Sequence, residues 1–298
     1  MKSVTKMTPI RFSELSKSAS PVLIAGAGGM LAWDLNRTFS DLVGQQSTIA
    51  LSRAELDIAN PESVEAAFQK YQPKVVLNAA AYTQVDKAET ERDLALAGNC
   101  TGPALLAEAC RSRGIPFVHY STDQVFDGSL GRPQREDDRP NPLNWYAGSK
   151  LEGEKKVLTY NQALVFRVQW LYGEKKDRFS PLKQKEVFSP FADQFGAPTW
   201  TREIAEITAE MLAKKESGLF HLSYDDYASW ADVFDFVKQT WKLPLKLEPQ
   251  ITAKLNLPAK RPLFSVLSNA KLSAVLGRTL GSWKKPLAEF LQRVGAQN

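Results

Sequence analysis

The sequence predicts an α/β fold: a doubly wound parallel sheet followed by a smaller C-terminal α/β lobe. Three observations predict it. Short apolar runs alternate with stretches of helical spacing through the first half of the chain. Those runs are continuously apolar, as in strands covered on both faces. The first of them opens directly into a glycine cluster.

The elements follow in order. Pro21 to Ala25 is a short buried strand, Met30 to Phe39 a helix, and Ser47 to Leu51 a second strand. Asn60 caps a helix that has Pro61 in its first turn and runs to Tyr71. Lys74 to Asn78 is the third strand. Leu94 to Arg113 is a long helix, kinked near Pro103 and stopped by Gly114. Ile115 to Tyr120 is the fourth strand, Tyr146 to Tyr160 a helix, and Ala163 to Val168 a further strand. After residue 170 proline, lysine and aromatic residues dominate. A helix over Glu203 to Lys215, a strand over Leu219 to Ser223, a helix over Trp230 to Trp241 and a helical stretch from Leu272 complete the chain. The expected division is an N-terminal extension over 1–20, a sheet domain over 21–168, and a lobe over 169–298 that returns one strand to the sheet.

Composition excludes several classes. Among 298 residues no apolar run approaches the roughly 18 needed to span a bilayer, and the first twenty residues lack a signal-peptide core. Cys100 and Cys110 give no disulfide framework, and His119 and His221, the only histidines, give no metal-ligand spacing, so no metal is expected. A cytoplasmic protein fits. The net charge of +5 is spread along the chain, without the basic stripe of a nucleic-acid binder. It suits small anionic ligands.

Gly26-Ala27-Gly28-Gly29-Met30-Leu31-Ala32 leaves a strand and enters a helix. Gly26 permits the tight turn, Gly29 lets the backbone approach a pyrophosphate, and Ala32 lets the helix pack on the strand. The anion rests on the helix N-terminus, at Gly28, Met30 and Leu31. This is a Rossmann-type dinucleotide site. The second strand ends in Leu51-Ser52-Arg53, with no acidic residue for a ribose 2′-hydroxyl. Arg53 is placed to meet a 2′-phosphate, which predicts NADP(H) over NAD(H). Asp57 and Ile58 follow, beside the adenine. Asn78, Ala79, Ala80 and Tyr82 leave the third strand with small residues that admit the cofactor, and Asn99 is a polar residue inside a helix, in reach of Lys150.

Tyr146 and Lys150 stand four apart and share a helix face. An ammonium beside a phenol, together with the positive nicotinamide, lowers the phenol pKa and equips it to donate a proton while hydride adds to a carbonyl. Thr122, directly after the fourth strand, can bond the carbonyl oxygen as charge develops on it.

Taken together these motifs resemble the extended short-chain dehydrogenase/reductases and, more narrowly, the dTDP-4-dehydrorhamnose reductase family. The resemblance runs from about Pro21 onward. Its specific stretches are Val76 to Thr83 with Val85 to Glu89, Ser121 to Gly128, Pro142 to Glu154, and Arg261-Pro262 with Ser265 to Leu267. It implies NADPH-dependent reduction of a 4-keto deoxynucleotide sugar, with Thr122, Tyr146 and Lys150 as the catalytic set. It also implies substrate contacts from Thr122, Asp123, Trp170, Gln194 in the loop Asp193 to Thr199, and Arg261 at the diphosphate. Members of the family often pair through helices flanking the sheet, so a homodimer is the implied assembly. The chain departs from the family at Gln124, where tyrosine is usual, and in a short stretch from Gly173 to Asp193. A nucleotide-sugar epimerase and a non-catalytic NADP(H)-binding regulatory subunit are the alternatives. A 4,6-dehydratase is disfavoured, because Gln124 cannot ionise.

Overall fold

The structure is a computed structural model and describes residues 20–295. The expected extension over 1–20 lies outside the described residues except for Ser20. Val22–Ala25 (β1) leads through the glycine turn into Met30–Val43 (α1), one turn longer than the spacing predicts, and then Thr48–Leu51 (β2). Pro61–Tyr71 (α2) starts as expected: the Asn60 side chain accepts from the backbone N–H groups of Glu62 and Ser63. Val75–Asn78 (β3) follows.

The long helix predicted next is two, Arg92–Leu96 (α3) and Gly102–Arg111 (α4), joined by a π turn over Ala97–Thr101. Pro103 explains the break. It has no N–H for the carbonyl of Asn99, four residues earlier, and its ring pushes that carbonyl aside. The remaining α-helices and strands of the main sheet are Phe117–Thr122 (β4), Trp145–Val157 (α5), Ala163–Val168 (β5), Thr201–Ala213 (α6), Gly218–His221 (β6), Trp230–Trp241 (α7), Ala270–Leu276 (α8) and Lys284–Gly295 (α9).

Six strands of the described residues form one parallel sheet in the order β6-β5-β4-β3-β1-β2. The order reverses between β1 and β3, and in such sheets a crevice opens there, at the carboxyl ends of the strands. One face of the sheet packs on α1 and α6 through Leu35, Phe39, Val118, Tyr120, Ile204 and Phe220. The other packs on α2, α4 and α5 through Phe68, Leu106, Phe117, Val157 and Val165. A third core joins Tyr172, Trp200, Val233, Trp283, Leu287 and Phe290 in the C-terminal half. No helix among the described residues is long and apolar enough to cross a membrane.

Candidate active site

The crevice is built by backbone. Gly26 has φ +94°, and a β-carbon there would lie 2.8 Å from the Ala80 nitrogen and 3.0 Å from the Ala79 carbonyl carbon. Only glycine lets the two loops close this far. Asn78 fixes the opposite loop: its Oδ1 accepts from the Ala80 N–H at 3.1 Å, which leaves its Nδ2 to donate to His119 Nδ1 at 3.1 Å. Around Gly28 a β-carbon would meet nothing within 4 Å. The first turn of α1, with Met30 and Leu31, carries no side-chain cap and no acidic residue. Uncapped N–H groups at a helix N-terminus fit a phosphate group.

Arg53 projects beyond β2, its side chain 81 % exposed, with only a long 3.8 Å pairing to Asp57. Asp57 Oδ1 accepts from the Ala59 N–H in a local turn. Ile58, the next residue, is buried beside Gly102, so its side chain packs into the core. Tyr82 lies on the crevice side of β3 and donates its hydroxyl to Glu91 at 2.6 Å.

The proton-transfer residues meet at the carboxyl end of β4. Asn144, read in the sequence only as part of a family stretch, caps α5 by accepting from the Ala147 N–H at 2.8 Å. Its amide also ties Gln124 and the Lys260 carbonyl. Asn99 is fully buried. Its Oδ1 accepts from the Tyr82 N–H, and its Nδ2 donates to the Tyr82 carbonyl and to Ser149 Oγ, which donates in turn to the Tyr146 carbonyl. Asn99 thus ties the loop at Tyr82 to the first turns of α5 through Ser149. Gly153 completes the fit, since a β-carbon there would fall 1.9 Å from the Asn99 carbonyl oxygen freed at the π turn.

Lys150 is buried, and its ammonium donates to the Tyr120 carbonyl. Burial pushes its pKa down to about 8, and the Glu154 carboxylate opposes this. Burial pushes the Tyr146 phenol up to about 12, the Thr122 hydroxyl beside it pulls downward, and the Asp123 carboxylate pushes up again. A phenol held protonated is still a competent proton donor.

Thr122 is buried, donates to Asp123 Oδ1 at 3.0 Å and accepts from the Gln124 N–H at 3.2 Å. Asp123 is 4 % exposed, and its second oxygen accepts from Ser265 Oγ. Burial raises its pKa to about 6 against the pull of those two hydroxyls. Its carboxylate is thus a shared acceptor for the Thr122 and Ser265 hydroxyls.

The expected sugar contacts divide. Trp170, at the left-handed φ of +47°, stacks on Trp230 with centroids 3.9 Å apart, its ring over the backbone of Gly196 in the predicted cleft loop. Arg178 lies across Trp230 at 5.2 Å and makes no ion pair among the described residues. Trp230 and Arg178 were missed in the sequence, since nothing local marks residues whose neighbours come from far along the chain. Gln194 is buried and donates to Thr252 Oγ1 at 3.0 Å, so its amide is committed within the protein. The guanidinium of Arg261 is held bidentately by Asp86 at 2.6 and 2.7 Å and also bonds the Ala259 carbonyl. Among the described residues no group of three or more His, Cys, Asp or Glu is arranged to hold a metal ion.

Known proteins align with this architecture. The RmlD substrate binding domain matches residues 20–296. A dTDP-4-dehydrorhamnose reductase of Burkholderia thailandensis is 37 % identical over 286 residues, covering 88 % of this chain and 95 % of that protein. The crystal structure of a dTDP-4-dehydrorhamnose reductase from Clostridium acetobutylicum superposes with a TM-score of 0.87 at 34 % identity, over 92 % of this chain and 99 % of the other. One from Bacillus anthracis, solved in complex with NADP, gives 0.86 at 28 % identity over the same shares. These relatives bear on the reductase reading and lend nothing to the regulatory alternative. Matched from end to end of its described residues, the chain belongs to the RmlD substrate-binding domain family.

Proposed function

We propose that this chain is a dTDP-4-dehydrorhamnose reductase that uses NADPH to reduce the 4-keto group of a deoxynucleotide sugar. The observation that carries the reading is the convergence of Thr122, Tyr146 and Lys150 at the carboxyl end of β4, on the edge where the glycine crevice opens. Residues 21–168 serve as the cofactor-binding half and 169–298 mainly as the sugar lobe. The cytoplasm is the expected compartment and a homodimer the expected assembly.

When bound, NADPH supplies the hydride that adds to the carbonyl carbon. The N-terminus of α1 receives the pyrophosphate on its free N–H groups. Arg53, exposed and only loosely paired, receives the 2′-phosphate, which favours NADP(H) over NAD(H). Lys150 holds the nicotinamide ribose. Tyr146 gives its phenolic proton to the carbonyl oxygen, and Thr122 donates to the same oxygen once its hydroxyl turns from Asp123. Trp170, backed by Trp230, walls the sugar. Arg178 takes the diphosphate role, since the Arg261 guanidinium is engaged by Asp86.

Mixing the purified protein with NADPH and a panel of 4-keto nucleotide sugars, in parallel with NADH, tests the proposal. Loss of reduced-nicotinamide absorbance with a dTDP-4-keto sugar, faster with NADPH, is expected. Tight NADPH binding without turnover of any sugar would overturn it.

A further inference from the structure

Tyr146, Lys150 and Glu154 occupy one face of α5 at steps of four residues. The proton donor and its lysine therefore stand in line with a carboxylate one turn deeper. Glu154 is 2 % exposed and grips Arg167 of β5, with Nε–Oε2 at 3.0 Å and Nη2–Oε1 at 2.5 Å. Arg167 is equally buried and lies over the Phe126 ring at 4.8 Å. Its Nη1 donates to His221 Nε2 at 3.2 Å, and His221 Nδ1 donates to the Gln134 carbonyl at 3.0 Å. The carbonyl partner fixes that tautomer. Burial and then the Arg167 charge push His221 down to about 3, so the imidazole is neutral. His221 is delivered by β6, the strand that returns to the sheet from the C-terminal half.

Stability is a poor explanation for such a pair. Desolvating two ions costs about what their attraction returns, and apolar replacements of similar volume are often as stable. The position beside Lys150 explains it better. Burial drives Lys150 toward its neutral form and Glu154 opposes that. Arg167 holds both Glu154 carboxylate oxygens, while the Lys150 ammonium donates to the Tyr120 carbonyl. The other titratable or charged groups here are Tyr146 on the same helix, neutral His119 on β4 and Asp123 in the turn after it, with Glu136, which accepts from the His221 N–H, and Asp138 on the His221 side; Asn99 from the π turn is uncharged.

We propose that the buried Glu154–Arg167 pair, steadied by His221, is a positioning device that sets the pH at which Lys150 carries its charge. The inference rests on the reductase reading only for what that charge is used for. Its test does not depend on turnover.

The side-chain resonances of lysine labelled at Cε are titrated by NMR in the protein without cofactor, with Lys150→Arg to assign the signal. In Glu154→Gln the Lys150 midpoint falls, and in Arg167→Met it rises. Each shift is about one to two pH units, the size expected of charges one helical turn away in a protein interior. A purely structural pair would lower the melting temperature and leave the midpoint in place. Movement of both variants in one direction, or of neither, overturns the proposal. If a single variant fails to fold, Glu154→Gln with Arg167→Met removes both charges at nearly constant volume. The midpoint then falls, because the nearer charge dominates, and an unmoved midpoint overturns the proposal. Opposite shifts in a protein that reduces no sugar would sink the reductase reading and keep the positioning role.

Discussion

Two alanine substitutions two residues apart separate the fold of the crevice from its use. Gly26→Ala puts a β-carbon at φ +94°, 2.8 Å from one backbone nitrogen and 2.9 Å from the neighbouring α-carbon. The left-handed conformation costs about 1–2 kcal/mol for a residue with a side chain. Parting two backbone segments adds about 1–3 kcal/mol, as overpacking of a tight core does. The expected loss is therefore roughly 2–5 kcal/mol, or a melting temperature lower by about 4–10 °C in a chain of this size. Gly28→Ala meets nothing within 4 Å and adopts no positive φ. Its stability should stay within about 0.5 kcal/mol of the parent. Its methyl group, however, enters the space where a pyrophosphate approaches the helix N-terminus. A clash worth about 1–3 kcal/mol weakens NADPH roughly tenfold to a hundredfold. Thermal denaturation followed by circular dichroism reads the first effect, and NADPH fluorescence titration the second. A Gly28→Ala protein that binds NADPH as the parent does refutes the crevice. A Gly26→Ala protein with the parental melting temperature refutes the close approach of β1 and β3.

The two arginines should part company in steady-state kinetics. Arg178→Ala raises KM for the nucleotide sugar about tenfold, since a charge-assisted bond is worth about 1.5–3 kcal/mol. Arg261→Ala leaves KM near the parental value and lowers the melting temperature instead, because it releases Asp86, which the guanidinium holds below the usual carboxylate range. The alkaline limb of kcat/KM is expected above about pH 8, as Lys150 loses its proton. Stability runs the other way. Lys150 titrates lower in the fold than the 10.5 of an ordinary lysine, so its buried charge costs stability below about pH 8, and that cost is relieved as the pH rises between the two values. A flat kcat/KM from neutral pH to pH 10 would contradict the assignment.

The order of strands and helices was legible because it depends on local pattern: apolar runs for β1 and β3, Asn60-Pro61 for the start of α2, Gly26 for the turn. The returning strand was legible for the same reason. The π turn was only half legible. Pro103 announced a disturbance, but its widening to a π turn depends on Gly153 of α5 admitting the freed Asn99 carbonyl. Partnerships across the chain were not legible at all. Arg261 finds Asp86 from 175 residues away, and Glu154 finds Arg167 and His221 across two strands. Such pairings decide whether a guanidinium is free for a ligand. Spacing places Tyr146 near Lys150, but the ammonium's bond to the Tyr120 carbonyl and the carboxylate of Asp123 beside the phenol are tertiary facts.

The most direct measurement is single-turnover reduction of a dTDP-4-keto-6-deoxy sugar by the parent and by Tyr146→Phe. The account predicts unchanged NADPH affinity and a rate lower by about 10²–10⁴, the usual worth of a positioned general acid. A phenylalanine variant that reduces the sugar at the parental rate would contradict it.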